Sequence, residues 1–240
     1  MKSAAEPSLD ERVQSSLQWL KRHSSRAVRD GMARYAIPSE HAYGVAMRDI
    51  KAFGKTLGRE HELSLALFDT RVYEAQMLAS FIGDPDKLTA AQMDRWCAKF
   101  DNWAICDAMS FNLFDRTPHA WKKVSQWSSK RAEFEKRTAF ALLWSLSVHD
   151  RQALDSRFIE GLALVEREAS DERNFVKKAV NMALRAVGKR NHALNAAAIA
   201  VAKRLAESTD ATARWVGKDA LRELSSASVQ ARLKVVTKAP

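Results

Sequence analysis

Apolar side chains recur at helical spacing along nearly the whole chain. Leu65, Leu67, Phe68, Val72, Ala75, Leu78, Ala79 and Ile82 fit two amphipathic helices broken near Asp69–Thr70. Phe140, Leu143, Trp144 and Ser147 follow a 3-4-3 spacing, and no run alternates with period two. The breaks are short and carry cap chemistry. They fall at Pro38-Ser39, at Gly83-Asp84-Pro85 leading to Thr89, at Thr117-Pro118, at Asp150, at Asp171 and at Ser208-Thr209-Asp210. The pattern predicts an all-α protein of about a dozen helices, with loops that suit antiparallel neighbours. Breaks spaced by about 35–45 residues match the period of HEAT- or armadillo-like helix pairs, so a right-handed solenoid with a concave binding face is expected. No Ser/Gly/Pro tract divides the 240 residues, which read as one domain with frayed ends at 1–8 and about 228–240.

Composition narrows the function classes. With 8 Gly and 5 Pro, tight Gly-dependent turns are scarce, which argues against sandwiches, barrels and Rossmann units. Two cysteines, Cys97 and Cys106, make neither a disulfide framework nor a four-Cys zinc site. The six histidines are scattered without HxxxH or HExxH spacing, so no metal or other cofactor is expected. No Walker loop or GxSxG elbow occurs. The polar N-terminus has no signal-peptide core, and no apolar run approaches a membrane span, so a cytoplasmic protein is expected.

Charge is distributed unevenly. The formal net charge is +10; residues 1–172 balance, with 25 basic and 25 acidic side chains, and residues 173–240 carry 14 basic against 4 acidic. Such an excess suits a polyanion, because each cation at a phosphate releases a condensed counterion. It suits equally a solvated helix surface.

Three segments could carry chemistry. In Asn174–Asn191, Val176, Ala179, Val180, Ala183 and Val187 define a buried face, while Lys178, Met182, Arg185 and Lys189 share another stripe. Three cations on one stripe repel each other, with no acid in the segment to relieve them; a phosphate backbone would. In Asp101–Asp107, Trp103 and Asp107 stack one turn apart behind a cap at Asp101 or Asn102. The indole can lie against a base or sugar and the carboxylate can position water, although the pair also has a purely structural reading. In Glu133–Leu143, Arg137 shares a helix side with Phe134, Ala141 and Trp144, as a cation–π group, an anion site or an ordinary structural arginine. The other six tryptophans, Trp215 among them, read as packing.

Taken together, YGV at 43–45, LFDTRVYEAQMLASFI at 67–82, FDNWAICD at 100–107, KRTAF at 136–140, FVKKAVNMALRAVGKRN at 175–191 and ARWVGKDALREL at 213–224 resemble the AlkD-type DNA alkylation repair family of HEAT-like-repeat glycosylases, over roughly residues 20–225. The resemblance implies hydrolysis of the N-glycosidic bond of cationic N3- or N7-alkylated purines in double-stranded DNA. It implies Asp107 as the catalytic acid, Trp103 as the aromatic beside the damaged nucleotide and Arg137 as an active-site cation. Arg185, Lys189, Lys51 and Arg214, with the stripe residue Lys178, would contact the DNA backbone. Met182 stands where the family has a second active-site tryptophan, which removes a π-face from the substrate site. No membrane or obligate protein partner is implied, and a monomer is expected. The alternatives are a non-catalytic helical-repeat protein for damaged or branched DNA and a protein-binding scaffold, the latter disfavoured by the basic C-terminal third.

Overall fold

The amphipathic pattern becomes helices throughout the computed structural model, which describes residues 7–236, with side chains to Leu233. Fourteen α-helices, two 3-10 turns and no strand are found among the described residues. The chain divides into two units, Met1–Thr117 and Pro118–Pro240. The expected frayed ends lie partly outside the described residues. Of the rest, Ser8 caps the first helix with a capping box to Glu11, and residues 227–236 form the last helix.

In the first unit, α1 (Leu9–Arg22) and α2 (Arg26–Gly31) precede a 3-10 turn at Met32–Tyr35. α3 (Met47–Leu57), α4 (His61–Asp69), α5 (Tyr73–Ile82), α6 (Ala90–Cys97) and α7 (Trp103–Asn112) follow. The predicted break at Asp69–Thr70 ends α4, and Arg71 turns the chain at φ 60°. α5 is the central helix of the unit, buried at every position from Glu74 to Ser80 and packed on α3, α4 and α7. The Glu74 carboxylate, 1% exposed, accepts the backbone N–H groups of Tyr43 (3.0 Å), Gly44 (2.7 Å) and Val45 (3.2 Å). Two motifs thirty residues apart are therefore one structure. The acid on α5 gathers the orphan donors of the Tyr43-Gly44-Val45 loop, where Gly44 sits at φ 85°.

The second unit repeats a helix pair. α8 (Ala120–Ser128) and α9 (Glu133–His149), α10 (Asp155–Glu168) and α11 (Asn174–Val187), and α12 (His192–Ala206) and α13 (Ala211–Leu224) precede α14 (Ala227–Val236). Second helices begin at Glu133, Asn174 and Ala211, which lie 41 and then 37 residues apart, within the expected period. They pack side by side, α9 on α11 and α11 on α13, while α10 packs on both α8 and α12. The forecast buried face of α11, from Val176 to Val187, is fully buried. Gly217 lets α13 lie directly on α12.

An ion network ties α9 to the α10–α11 turn. Lys136 Nζ meets Glu168 at 2.5 Å and Asp171 at 3.1 Å, and Arg173 binds Asp171 through two nitrogens. The Arg173 hydrogen bond, opposed by burial and helped by Lys136, holds the Asp171 carboxyl at about 2. A depressed folded-state value stabilises the fold above the ordinary carboxylate range and is lost as the pH falls from about 4 towards 2. Wild type should lose about 1 kcal/mol more than Asp171→Asn across that window, after allowance for solvent screening. Urea midpoints measured against pH for the two proteins check this.

Candidate functional site

The Trp103–Asp107 pair is set by the start of α7. Asn102, 2% exposed, caps the helix: its side-chain oxygen accepts the Ile105 N–H at 3.1 Å and its amide donates to Asp101 at 2.7 Å. The helix therefore begins at Trp103. Ile105, Cys106, Met109 and Ser110 take the buried face, which leaves Trp103 and Asp107 half-buried one turn apart. The indole is not loose. Its Nε1–H donates to the carbonyl of Tyr35 at 2.7 Å, at the end of the 3-10 turn, where Ala36 reverses the chain at φ 52°. This anchor joins residues 68 positions apart and leaves no local pattern by which to find it. Its consequence is a fixed ring plane beside a carboxylate, on the rigid element that both share.

Lys51 lies elsewhere in this unit, exposed on α3. It lines a cleft of about 360 Å³ with Lys55, Arg59 and Arg116. Arg116 donates to the Asn112 carbonyl at 2.8 Å and Arg59 to the Gly83 carbonyl, so both guanidiniums are held by main chain.

In the second unit, Arg137 is only 4% exposed. Its Nη1 donates to the Phe175 carbonyl at 2.8 Å, and the Phe134 and Phe175 rings pack 5.6 Å apart in the same region. This buried guanidinium ties α9 to the first turn of α11.

The α11 stripe has the expected placement, with Lys178 exposed and Met182, Arg185 and Lys189 half-buried. The expectation of unrelieved repulsion needs correcting. The acids come from α13: Arg185 pairs with Glu223 and lies 3.7 Å from Asp219, and Lys189 Nζ is 2.7 Å from Glu223. Burial alone would raise the Glu223 carboxyl. The Lys189 hydrogen bond, with the charges of Lys189 and Arg185, brings it below the usual range instead. These acids stand 34 and 38 positions beyond the cations, out of reach of any single-helix analysis. Glu223→Gln should therefore raise affinity for duplex DNA and steepen the salt dependence, by about one unit in the log–log slope for each cation released to phosphate. Fluorescence anisotropy titrations at several salt concentrations measure this.

Arg214 is half-buried on α13 and donates to the carbonyls of Ser208 (2.7 Å) and Thr209 (3.1 Å), bracing the turn after α12. Its neighbour Trp215 is not core, contrary to the packing assignment. It is 43% exposed, and Lys177 Nζ lies 5.4 Å from its ring centre. Trp96 and Trp127 are fully buried, as expected for packing residues. No group of three or more potential metal-ligating residues occurs among the described residues, and no helix there is long and apolar enough to cross a membrane.

Helix pairs at this period define an all-α protein of HEAT-like repeat architecture. A solved structure described as representing "a new family of proteins related to the HEAT-like repeat DNA glycosylases with affinity for branched DNA structures" matches with a TM-score of 0.75 and 19% sequence identity, over 92% of this chain and 95% of that one. The family model "DNA alkylation repair enzyme" matches residues 17–224, and the chain belongs to that family. No curated protein matches it.

Proposed function

We propose that this protein is a DNA glycosylase that hydrolyses the N-glycosidic bond of cationic N3- or N7-alkylated purines in duplex DNA. The observation that carries the reading is the α7 pair: a half-buried carboxylate, Asp107, one turn from an indole fixed through its N–H. An alkylated purine already bears positive charge, so it leaves readily as a neutral base. As the C1′–N bond breaks, its electron pair goes to the base and the sugar takes on oxocarbenium character. The Asp107 carboxylate stabilises that charge and orients the water whose oxygen bonds to C1′; the proton released passes to the carboxylate or to solvent. Trp103 offers its electron-rich face to the cationic nucleotide. Arg137 is a positioning residue. Lys178, Arg185 and Lys189, with Lys51 and Arg214, attract the phosphate backbone. The reading needs no metal or other cofactor.

A second reading is a non-catalytic protein for branched DNA. It is favoured by Met182, a thioether where the family resemblance places a second active-site aromatic, and by the description of the structural match. Methylated DNA incubated with the protein and assayed for free 7-methylguanine separates the two. Release above the protein-free control supports the glycosylase. No release, together with at least tenfold tighter binding to a four-way junction than to linear duplex, supports the second reading.

A further inference from the structure

The second unit contains a cleft of about 750 Å³ that shares only Lys189 with the residues assigned above to the DNA backbone. Trp144, Arg151, Lys189, Arg190, Asn191 and Arg232 line it, with no carboxylate in the lining. Arg151 and Arg232 are exposed, and among the described residues neither side chain has an ion-pair or hydrogen-bond partner. Arg190 is a built-in element of the wall. Its guanidinium lies 4.3 Å from the Phe158 ring centre and donates to the Ser147 carbonyl at 3.1 Å, with no carboxylate in salt-bridge range among the described residues. Asp150 and Asp155 act on it only from farther away: Asp150 accepts the Trp121 indole N–H, and Asp155 accepts the Asn191 amide. Lys189 is met by Glu223, which it shares with Arg185. The cleft therefore keeps an excess of positive charge beside a half-buried indole.

We propose that this cleft binds an unpaired nucleotide of single-stranded DNA, such as the flap at a branch, with phosphate on Arg151 and Arg232 and the base against Trp144. The cleft's volume of about 750 Å³ is that of a site for one small ligand, the scale of a single nucleotide. An acid-free cationic rim with an aromatic wall is the combination that holds single strands irrespective of sequence. The inference rests on DNA being the partner and is independent of the glycosylase chemistry.

The test uses the full chain and two ligands, an unmodified duplex and the same duplex carrying a five-thymidine flap. Wild type should bind the flapped DNA about tenfold more tightly. The double variant Arg151→Ala/Arg232→Ala should lose that preference to within twofold. Its affinity for the duplex should stay unchanged, and its log–log salt slope on the flap should fall by about 1.4. A preference that survives in the double variant, or none in wild type, overturns the inference. Replacing one flap thymidine by 2-aminopurine reads the indole: quenching on binding supports base contact, and unchanged emission overturns it. Release of 7-methylguanine is measured in the same proteins. Release without flap preference defeats this inference alone, and an arginine-dependent flap preference without release defeats the glycosylase alone.

Discussion

Gly217→Ala should destabilise the protein by about 2 kcal/mol or more, although helix propensity alone predicts the opposite. Exchanging glycine for alanine inside a helix gains about 1 kcal/mol. Here the added Cβ would lie 2.3 Å from the Ala206 nitrogen and 2.6 Å from the Ala202 oxygen. These are main-chain atoms of α12, one turn apart, and cannot rotate away as a side chain would. The helices must separate, which opens the packing of Val216 and Ala220 against their neighbours, and overpacking of this kind costs about 3 kcal/mol. At this chain length the net loss corresponds to a fall of roughly 4–8 °C in Tm. Gly31→Ala is the matched control. A Cβ there meets nothing within 4 Å, so that variant should melt at or slightly above wild type. Thermal melts of the three proteins check both expectations.

Glu74→Ala should cost more, about 4 kcal/mol. Its carboxylate is the acceptor for three successive backbone N–H groups, at Tyr43, Gly44 and Val45, and lies under the surface with no cation in salt-bridge range among the described residues. Truncation leaves those donors without their acceptor, at about 1–3 kcal/mol for each one kept from water. The loop cannot easily refold around the gap. Gly44 holds a positive φ, and a Cβ on it would press against the Ser25 carbonyl at 2.3 Å. Glu74→Gln keeps one acceptor oxygen and should recover part of the loss. Urea unfolding of both variants against wild type measures the ordering.

What the sequence disclosed follows the range of the interactions concerned. The break between α4 and α5, the caps at Thr89, Asn102 and Asp210, and the buried face of α11 are local, each written within one or two turns of its own segment. The placement of Trp103 and Asp107 on one side of α7 needed only the i, i+4 rule and a cap. What escaped depends on the neighbouring repeat. Glu223 and Asp219 answer the α11 cations from α13, and the Tyr35 carbonyl that anchors Trp103 is 68 residues away. Trp215 fits a core pattern by spacing, yet it faces solvent because Val216, Gly217 and Ala220 already take the buried side of α13. Glu74 left one visible sign, a lone acid in the apolar run VYEAQML, where a charge on a buried face demands a partner.

The most direct test of the central claim compares wild type with Asp107→Asn on DNA carrying a single N7-methylguanine, with base release and DNA affinity both measured. If Asp107 is the group that meets the positive sugar, release falls by at least 100-fold. DNA binding stays equal or tightens, since a negative charge near phosphates has been removed. Base release by Asp107→Asn at the wild-type rate would contradict the account.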